Sequence, residues 1–184
     1  MEAPEQAWYL MRIVGPRKDI AIRRLFDDVG VRYFQPMQKV LVRPKAKPAR
    51  VVLKPYISTM FFGYGSVAEL DKMISISRGW LQWVYKRGCR LDDHIKINNS
   101  EMEMFMKTVN AFIEGSRYIT PEEAARFEGR RVRLIGGALD GVEGVIAKGR
   151  TKKLAFMVQI ENVVAMEVTV IRDMAELLPE TEKA

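Results

Sequence analysis

Apolar residues recur along the chain with two different spacings, and these spacings divide it into strands and helices. The run from Trp8 to Val14 is aromatic and β-favouring and stops at Gly15-Pro16, which predicts a strand followed by a turn. Next, Asp19 is expected to cap a helix whose apolar residues follow the i, i+3, i+4, i+7 pattern of one buried face and which ends at Gly30.

The middle of the chain is predicted to be extended, with two more helices. Segments 31–34, 39–43, 51–53, 56–62 and 80–85 read as strands, with an exposed basic hairpin tip around 44–48 and a short helix around Leu70. Ser100 and Glu103 have capping-box spacing at the start of an apolar stripe that ends at Gly115. This is the clearest helix pattern in the chain.

The last third changes character. Thr120-Pro121-Glu122-Glu123 predicts a short capped helix. Short strands at 131–135, 142–147, 154–160 and 163–170, separated by glycine turns, predict a small closed barrel. The expected fold class is therefore α+β: a domain with an antiparallel sheet at 1–115, a linker with a short helix at 116–126, and a barrel at 127–184.

Charge distribution narrows the class of partner. The formal net charge is +7, and the segment from Val29 to Ala68 contains no Asp or Glu. Seven cations lie in that segment: Arg32, Lys39, Arg43, Lys45, Lys47, Arg50 and Lys54. A local positive excess of this kind favours anionic partners, nucleic acid among them.

The residues that catalysis or metal binding would need are sparse. Cys89 is the one cysteine and His94 the one histidine, so no disulfide or nucleophilic triad is expected, and Asp92-Asp93-His94 lacks a second ligand cluster. No Walker-type loop occurs, and no apolar run reaches the about 20 residues of a membrane span. We expect a non-catalytic, cytoplasmic, monomeric protein without cofactor or metal.

The glycine pattern of the last third resembles the KOW motif, over Val132 to Ile146, with turn glycines at Gly137, Gly141 and Gly144. The first domain resembles, in order, the N-terminal domain of the NusG family: Trp8-Tyr9, Pro36, Lys54 to Ile57, Met60 to Phe62, and Ser77-Arg78-Gly79. The two resemblances together span about residues 8–171. They imply a NusG-type α/β sandwich followed by an SH3-like barrel.

The resemblance implies a transcription elongation or antitermination factor that binds the clamp helices of RNA polymerase and nearby upstream or non-template DNA. Its polymerase cleft maps to Trp8, Phe34, Tyr56 and Ile57, and its nucleic-acid face to Arg17, Arg24 and Arg78. The basic hairpin would add sequence-independent attraction through Arg43, Lys45, Lys47 and Arg50. The KOW domain would recruit a ribosomal protein, Rho or another factor.

One departure favours a specialised paralogue of the RfaH-like or UpxY-like kind, which act on long operons, often for capsular polysaccharide: Tyr56-Ile57-Ser58-Thr59 stands where a Phe-Pro-Gly run is usual. Leu70 to Met73 stands where RfaH-like proteins carry a His-Thr-Thr-Thr element, which argues against a contact with the polymerase gate loop.

Other interpretations stay open. Trp8 and Phe34 are equally typical of an ordinary core, and Ile57 is less so; the basic loop is equally typical of a solvated surface. A ribosome-associated or RNA-binding KOW protein is the main alternative function. An enzymatic function would depend on the residue 92–94 cluster alone.

Overall fold

The computed structural model describes residues 5–43, 45, 48–86, 93–111, 117–126, 128–147, 153–171 and 174–178. The chain divides into two compact units, Met1–Asn99 and Ser100–Ala184, called the N-terminal and C-terminal units below. The domain limits expected from the sequence describe segments that fold independently. A division into compact units does not test independent folding, so these limits stay predictions.

The N-terminal unit is built on an antiparallel sheet. Its strands are β1 (Ala7–Ile13), β2 (Tyr33–Phe34), β5 (Met60–Gly65), β6 (Leu81–Trp83) and β7 (Lys96–Ile97), and its helices are α1 (Asp19–Val29) and α2 (Val67–Ile76). The order is β2-β5-β1-β6, with β7 also paired to β1. Strands β3 (Met37–Val42) and β4 (Arg50–Pro55) form a separate two-stranded hairpin.

Alternation along β1 explains the packing of this unit. Ala7, Tyr9, Met11 and Ile13 belong to one buried cluster, to which α1 contributes Ile22 and Phe26 and α2 contributes Leu70 and Met73. Successive strand residues face opposite sides of a sheet, so these alternate residues of β1 share one face. Both helices therefore pack against that face of the sheet. The contact is close, because a Cβ added at Gly63 would lie 2.9 Å from a methyl carbon of Leu70.

Helix ends agree only in part with the sequence signals. Gly30 ends α1 in the left-handed conformation, at φ 78°. Asp19, however, is the first helical residue rather than the cap; Lys18 occupies the cap position without a capping side-chain hydrogen bond. The predicted cap was wrong because a carboxylate is also favourable in the first turn, where its negative charge interacts with the positive end of the helix dipole. Helix α2 starts with a capping box between Ser66 and Glu69.

The segment predicted as a strand at 56–62 is extended only from Met60. Residues 56–59 form a turn, closed by the Met60 N–H, which donates to the Ile57 carbonyl oxygen at 3.1 Å. Similarly, β6 begins at Leu81, so Trp80 lies in the preceding turn rather than in a strand. Both corrections move predicted strand residues into exposed connections.

The C-terminal unit is a six-stranded antiparallel sheet with helices. It contains β8 (Arg117–Ile119), α4 (Pro121–Ala125), β9 (Arg130–Leu134), β10 (Glu143–Ala147), β11 (Lys153–Ile160), β12 (Val164–Ile171) and β13 (Ala175–Leu177); helix α3 (Asn99–Ala111) precedes them. The order is β13-β9-β10-β11-β12-β8. Pairing among the described residues does not join β13 to β8, so the closed barrel stays a prediction.

Helix α3 packs within the C-terminal unit. The ring of Phe105 meets that of Tyr118 edge to face at 6.3 Å, and the Glu143 N–H donates to the Met104 sulfur at 3.4 Å. The predicted end of this helix, near Gly115, lies outside the described residues. The chain as a whole is thus a mixed α/β protein with antiparallel sheets.

Candidate nucleic-acid interface and docking surface

Two turns that are distant in sequence lie side by side at one end of the N-terminal sheet. The first turn, residues 14–18, follows β1, and the second, residues 77–80, follows α2. The Val14 N–H donates to the Trp80 carbonyl oxygen at 2.8 Å, and the Lys18 ammonium lies 3.8 Å from the centroid of the Trp80 ring. A cation at this distance from an indole face is attracted by its quadrupole. We call these two turns the paired turns.

Each of the paired turns exposes an arginine in a left-handed backbone conformation. Arg17 has φ 58° and Arg78 has φ 55°, next to Gly79 at φ 82°. For a residue with a Cβ this conformation costs about 1–2 kcal/mol relative to the right-handed one. The fold therefore holds two guanidinium-bearing residues in strained, exposed positions at the same end of the sheet.

Trp80 is a functional candidate that the sequence reasoning missed. Its side chain keeps 36% of its surface exposed although one face carries Lys18. An exposed indole beside cations is the combination on which nucleic-acid bases stack in single-strand binders. The available signal was the run Arg78-Gly79-Trp80, where glycine marks a turn immediately before an aromatic residue.

Arg24, the third arginine of the expected nucleic-acid face, is exposed about one and a half turns into α1. Its neighbour Arg23 is engaged differently: its guanidinium lies 3.3 Å from the Asp19 carboxylate and donates to the Met37 sulfur. Of the two basic residues of this helix, Arg24 therefore contributes the more accessible charge.

The hairpin of β3 and β4 carries the other predicted cations. Arg43, Lys45 and Arg50 are exposed, and Lys47 lies outside the described residues. One face of the hairpin exposes apolar side chains beside Lys39, because Leu41 pairs with Val51 and both are more than half exposed. The hairpin thus combines a basic end with an exposed apolar pair.

The expected polymerase cleft is spread over residues of unequal exposure. Trp8 is only 3% exposed, and its ring packs on Tyr64 with 5.3 Å between centroids. Phe34 is half-buried near Phe62, at 6.4 Å. A ring as buried as Trp8 acts through packing rather than as a surface contact.

Tyr56 and Ile57, the other two cleft residues, lie together in the turn before β5. Tyr56 is 37% exposed and Ile57 is half-buried. The Tyr56 N–H donates to the Pro36 carbonyl oxygen at 2.9 Å, which fixes the turn to the base of the hairpin. Of the four residues, these two and the half-buried Phe34 offer apolar surface to a partner, whereas Trp8 does not.

The turn glycines of the C-terminal unit serve two different purposes. Gly137 and Gly141 have φ of 68° and 78°, which only glycine adopts without cost. Gly144 instead lies in β10, where an added Cβ would be 2.3 Å from the Met157 carbonyl oxygen. Close packing of β11, rather than turn geometry, therefore requires glycine at that position.

His94 lies in an aromatic cluster. Its ring stacks on Trp83 at 4.1 Å and approaches Tyr85 at 5.4 Å, while Cys89 and Asp92 lie outside the described residues. In the described part of the chain, no group of three or more His, Cys, Asp or Glu side chains is placed to hold a metal ion. Among the same described residues, no helix is long and apolar enough to cross a membrane.

Similarity to known proteins is found among solved structures. No family model and no curated protein matches the chain. A solved structure entitled "Domain interaction in Thermotoga maritima NusG" is similar to it, with a TM-score of 0.45 and 15% identity, over 95% of this chain and 98% of that one.

Proposed function

We propose that the chain is a non-catalytic transcription elongation or antitermination factor. In this proposal the N-terminal unit binds RNA polymerase and nearby upstream or non-template DNA, and the C-terminal unit recruits a further factor. The proposal draws on the ordered resemblance of residues 8–171 to the NusG family. The observation that carries it is the pair of turns presenting Arg17, Arg78 and Trp80 together.

The paired turns have the chemistry of a nucleic-acid surface. Arginine can bind a phosphate or donate two hydrogen bonds to a guanine edge, and an exposed indole stacks on any base. The fold holds Arg17 and Arg78 in a strained backbone conformation, and this strain is not offset by side-chain packing, since both side chains are exposed. Residues held in strained positions on a surface are typical of functional sites.

The turn of Tyr56 and Ile57 is the proposed contact with polymerase. Apolar side chains on a partner helix would pack on this turn, because a few well-placed apolar residues carry most of the binding energy of such interfaces. Its position at the base of a hairpin with a basic end allows protein and DNA to be bound by one unit.

The C-terminal unit is proposed to be an SH3-like KOW barrel that recruits a ribosomal protein, Rho or another factor. Tethering it to a docked N-terminal unit raises its effective concentration near the polymerase, so individually weak contacts suffice. We further propose that the chain is a specialised paralogue serving long operons, such as those for capsular polysaccharide, because residues 56–59 depart from the usual family pattern.

Binding of a fluorescent single-stranded oligonucleotide to the purified chain tests the nucleic-acid face. Trp80→Ala is expected to weaken binding by about 1–3 kcal/mol, the usual value of base stacking. Arg78→Ser should lower the slope of log K against log salt by about 0.7, since one phosphate contact is lost. Arg133→Ser, which removes an arginine held by Glu143 at 2.6 Å, is the matched control. Equal losses in the control and in Arg78→Ser would contradict the assignment.

Capture of core RNA polymerase tests the protein contact. Ile57→Asp is expected to abolish capture while the chain stays folded, because a carboxylate cannot be buried against apolar residues without a partner. Val29→Asp makes the same chemical change at an exposed position of α1 and should leave capture unchanged. Normal capture by Ile57→Asp would show that the docking surface lies elsewhere.

A ribosome-associated or RNA-binding protein is the second candidate, because an exposed tryptophan beside arginines suits single-stranded RNA as well as DNA. Salt-sensitive binding to structured or single-stranded RNA, without capture of polymerase, would favour this function.

A further inference from the structure

The hairpin of β3 and β4 has one face that is exposed and mostly apolar. Paired residues of an antiparallel ladder lie on the same face, so the pair Leu41–Val51 lies next to the pair Lys39–Leu53. Leu41, Val51 and Leu53 keep 55%, 61% and 54% of their surface exposed. We call these four residues the hairpin face.

The hairpin face lacks the cover that such a ribbon needs for stability. Strands β3 and β4 form their own two-stranded sheet, and the hairpin is held at its base. There the Arg23 guanidinium donates to the Met37 sulfur at 3.3 Å, and the Tyr56 N–H donates to the Pro36 carbonyl oxygen. An isolated two-stranded hairpin is only marginally stable in water unless one face packs on another element. Exposed aliphatic side chains that are clustered, rather than scattered singly, are typical of interaction sites.

The charge along the hairpin is positive throughout. Residues 29–68 contain no Asp or Glu. Lys39 belongs to the hairpin face, Arg43 and Arg50 are exposed at the basic end, and Lys54 is exposed on the opposite face. A partner that covers the aliphatic side chains is therefore favoured if it brings apolar side chains together with negative charge.

Three other occupants fit the hairpin face less well. Nucleic-acid bases stack on aromatic rings, and residues 37–55 include no Phe, Tyr or Trp. A membrane would be entered by the end of the hairpin, where the exposed cations lie rather than the aliphatic side chains. A second copy of the chain would bring a hairpin of the same positive charge against this one.

We propose that the hairpin face binds an acidic amphipathic helix of a partner protein. Neighbouring strands lie about 4.8 Å apart, so a two-stranded ribbon with its side chains is about as wide as one helix. A strand of 6 residues is about 20 Å long, which matches roughly four helical turns. The helix would bury apolar side chains on Leu41, Val51 and Leu53 and place a carboxylate near Lys39.

The test is an NMR titration of the full-length, ¹⁵N-labelled chain with a blocked, stapled helical peptide of about 18 residues, or five turns. Its leucines form one apolar stripe, and glutamates flank that stripe. A matched peptide carries glutamine in place of every glutamate. We expect shifts at the amides of the hairpin face with a dissociation constant of about 0.1 mM, and binding of the glutamine peptide about tenfold weaker. Equal affinity for the two peptides, or shifts confined to other regions, would overturn the proposal.

Two variants test the apolar contact. Leu53→Ser should weaken binding of the acidic peptide about tenfold, because an aliphatic contact is lost. Val51→Thr, which keeps the β-branched shape, should weaken it about threefold. Leu177→Ser makes the first change at a leucine of β13 that is 59% exposed, and it should bind like the parent. Each variant's amide spectrum verifies that it is folded, and unchanged binding by both hairpin variants would refute the site.

A pair of lysine variants tests which face of the hairpin is covered. Lys39→Gln should weaken binding about threefold, in line with one exposed ion pair. Lys54→Gln removes the same charge from the opposite face and should change the affinity by less than about twofold. Equal losses would show that the peptide responds to the overall charge of the hairpin, and would overturn the proposed geometry.

The other occupants are tested with the same Leu53→Ser variant. Its parent is sedimented with vesicles of phosphatidylcholine and phosphatidylglycerol, titrated with an oligonucleotide, and diluted to follow self-association. We expect Leu53→Ser to change none of these three properties. A loss of vesicle binding, oligonucleotide binding or self-association in Leu53→Ser would assign the hairpin face to that occupant and overturn the proposal.

This inference goes beyond the proposed function, and the two can fail separately. The peptide titration contains neither polymerase nor nucleic acid, and Ile57→Asp changes no residue of the hairpin face.

Discussion

Replacing Gly144 by alanine should destabilise the C-terminal unit more than any alanine substitution at its turn glycines. The added Cβ would lie 2.3 Å from the Met157 carbonyl oxygen and 2.7 Å from the Phe156 ring. Ordinary van der Waals contact begins near 3.4 Å, so the backbone of β11 would have to move by the difference, 3.4 − 2.3, or about 1 Å. Overpacking usually costs about 1–3 kcal/mol, and a clash with backbone lies at the upper end.

Gly141 provides the comparison, since it is glycine for a different reason. Its φ is 78°, and nothing lies within 4 Å of an added Cβ. Gly141→Ala should therefore cost only the conformational term, about 1–2 kcal/mol. Asparagine tolerates the left-handed region, so Gly141→Asn should recover part of that loss, whereas Gly144→Asn should be worse than Gly144→Ala.

The assay is urea denaturation of the four variants followed by far-ultraviolet circular dichroism. Hydrogen exchange of peptides covering residues 143–160 would report whether the loss is local to β10 and β11. A clash at Gly144 would be refuted if asparagine shifts stability in the same direction at both positions, relative to alanine, or if Gly144→Ala costs less than Gly141→Ala.

Substitutions at three further positions probe the core and the helix caps. Phe61→Ala should cost about 3–5 kcal/mol in urea denaturation, because Phe61 is fully buried with Phe26 at 4.9 Å; a loss under 1 kcal/mol would contradict this packing. Hydrogen bonds from Ser66 lower the pKa of Glu69 to about 2. The ionised Glu69 therefore stabilises the fold fully above pH 4.5, and this stabilisation is lost as the pH falls towards 2. The difference in unfolding free energy between the parent and Glu69→Ala should close over that interval, and a difference independent of pH would refute the role of these hydrogen bonds. Thr120→Ala removes the cap of α4 and should cost about 1 kcal/mol by thermal denaturation, whereas Thr120→Ser should be nearly neutral.

The long strands of the C-terminal unit could be predicted from the sequence. Predicted segments 131–135, 142–147, 154–160 and 163–170 agree within one residue with β9 to β12. Each is bounded by a turn, a loop or a glycine-rich segment, so local chemistry and the final fold agree. The three-residue strands β8 and β13 were not predicted, because three residues are too few to show a period of two.

The candidate site was less predictable, because it depends on contacts between distant segments. Nothing in the local sequence of Val14 indicates that its N–H donates to Trp80, yet that bond is part of what brings the two turns together. In the same way, Tyr56 and Ile57 have strong β propensity, and the hairpin geometry places them in a turn instead. Tertiary structure overrode local preference at both places.

The left-handed backbone conformation of Arg17 and Arg78 affects how this protein would respond to directed evolution. Arg17→Gly and Arg78→Gly should each relieve about 1 kcal/mol of backbone strain, since both residues have φ near 55–60°. A selection for heat tolerance alone would therefore enrich glycine at these two positions, while a selection for nucleic-acid binding would reject it. Opposed enrichment in the two selections would mark residues whose side chains are retained for activity at the expense of thermal stability.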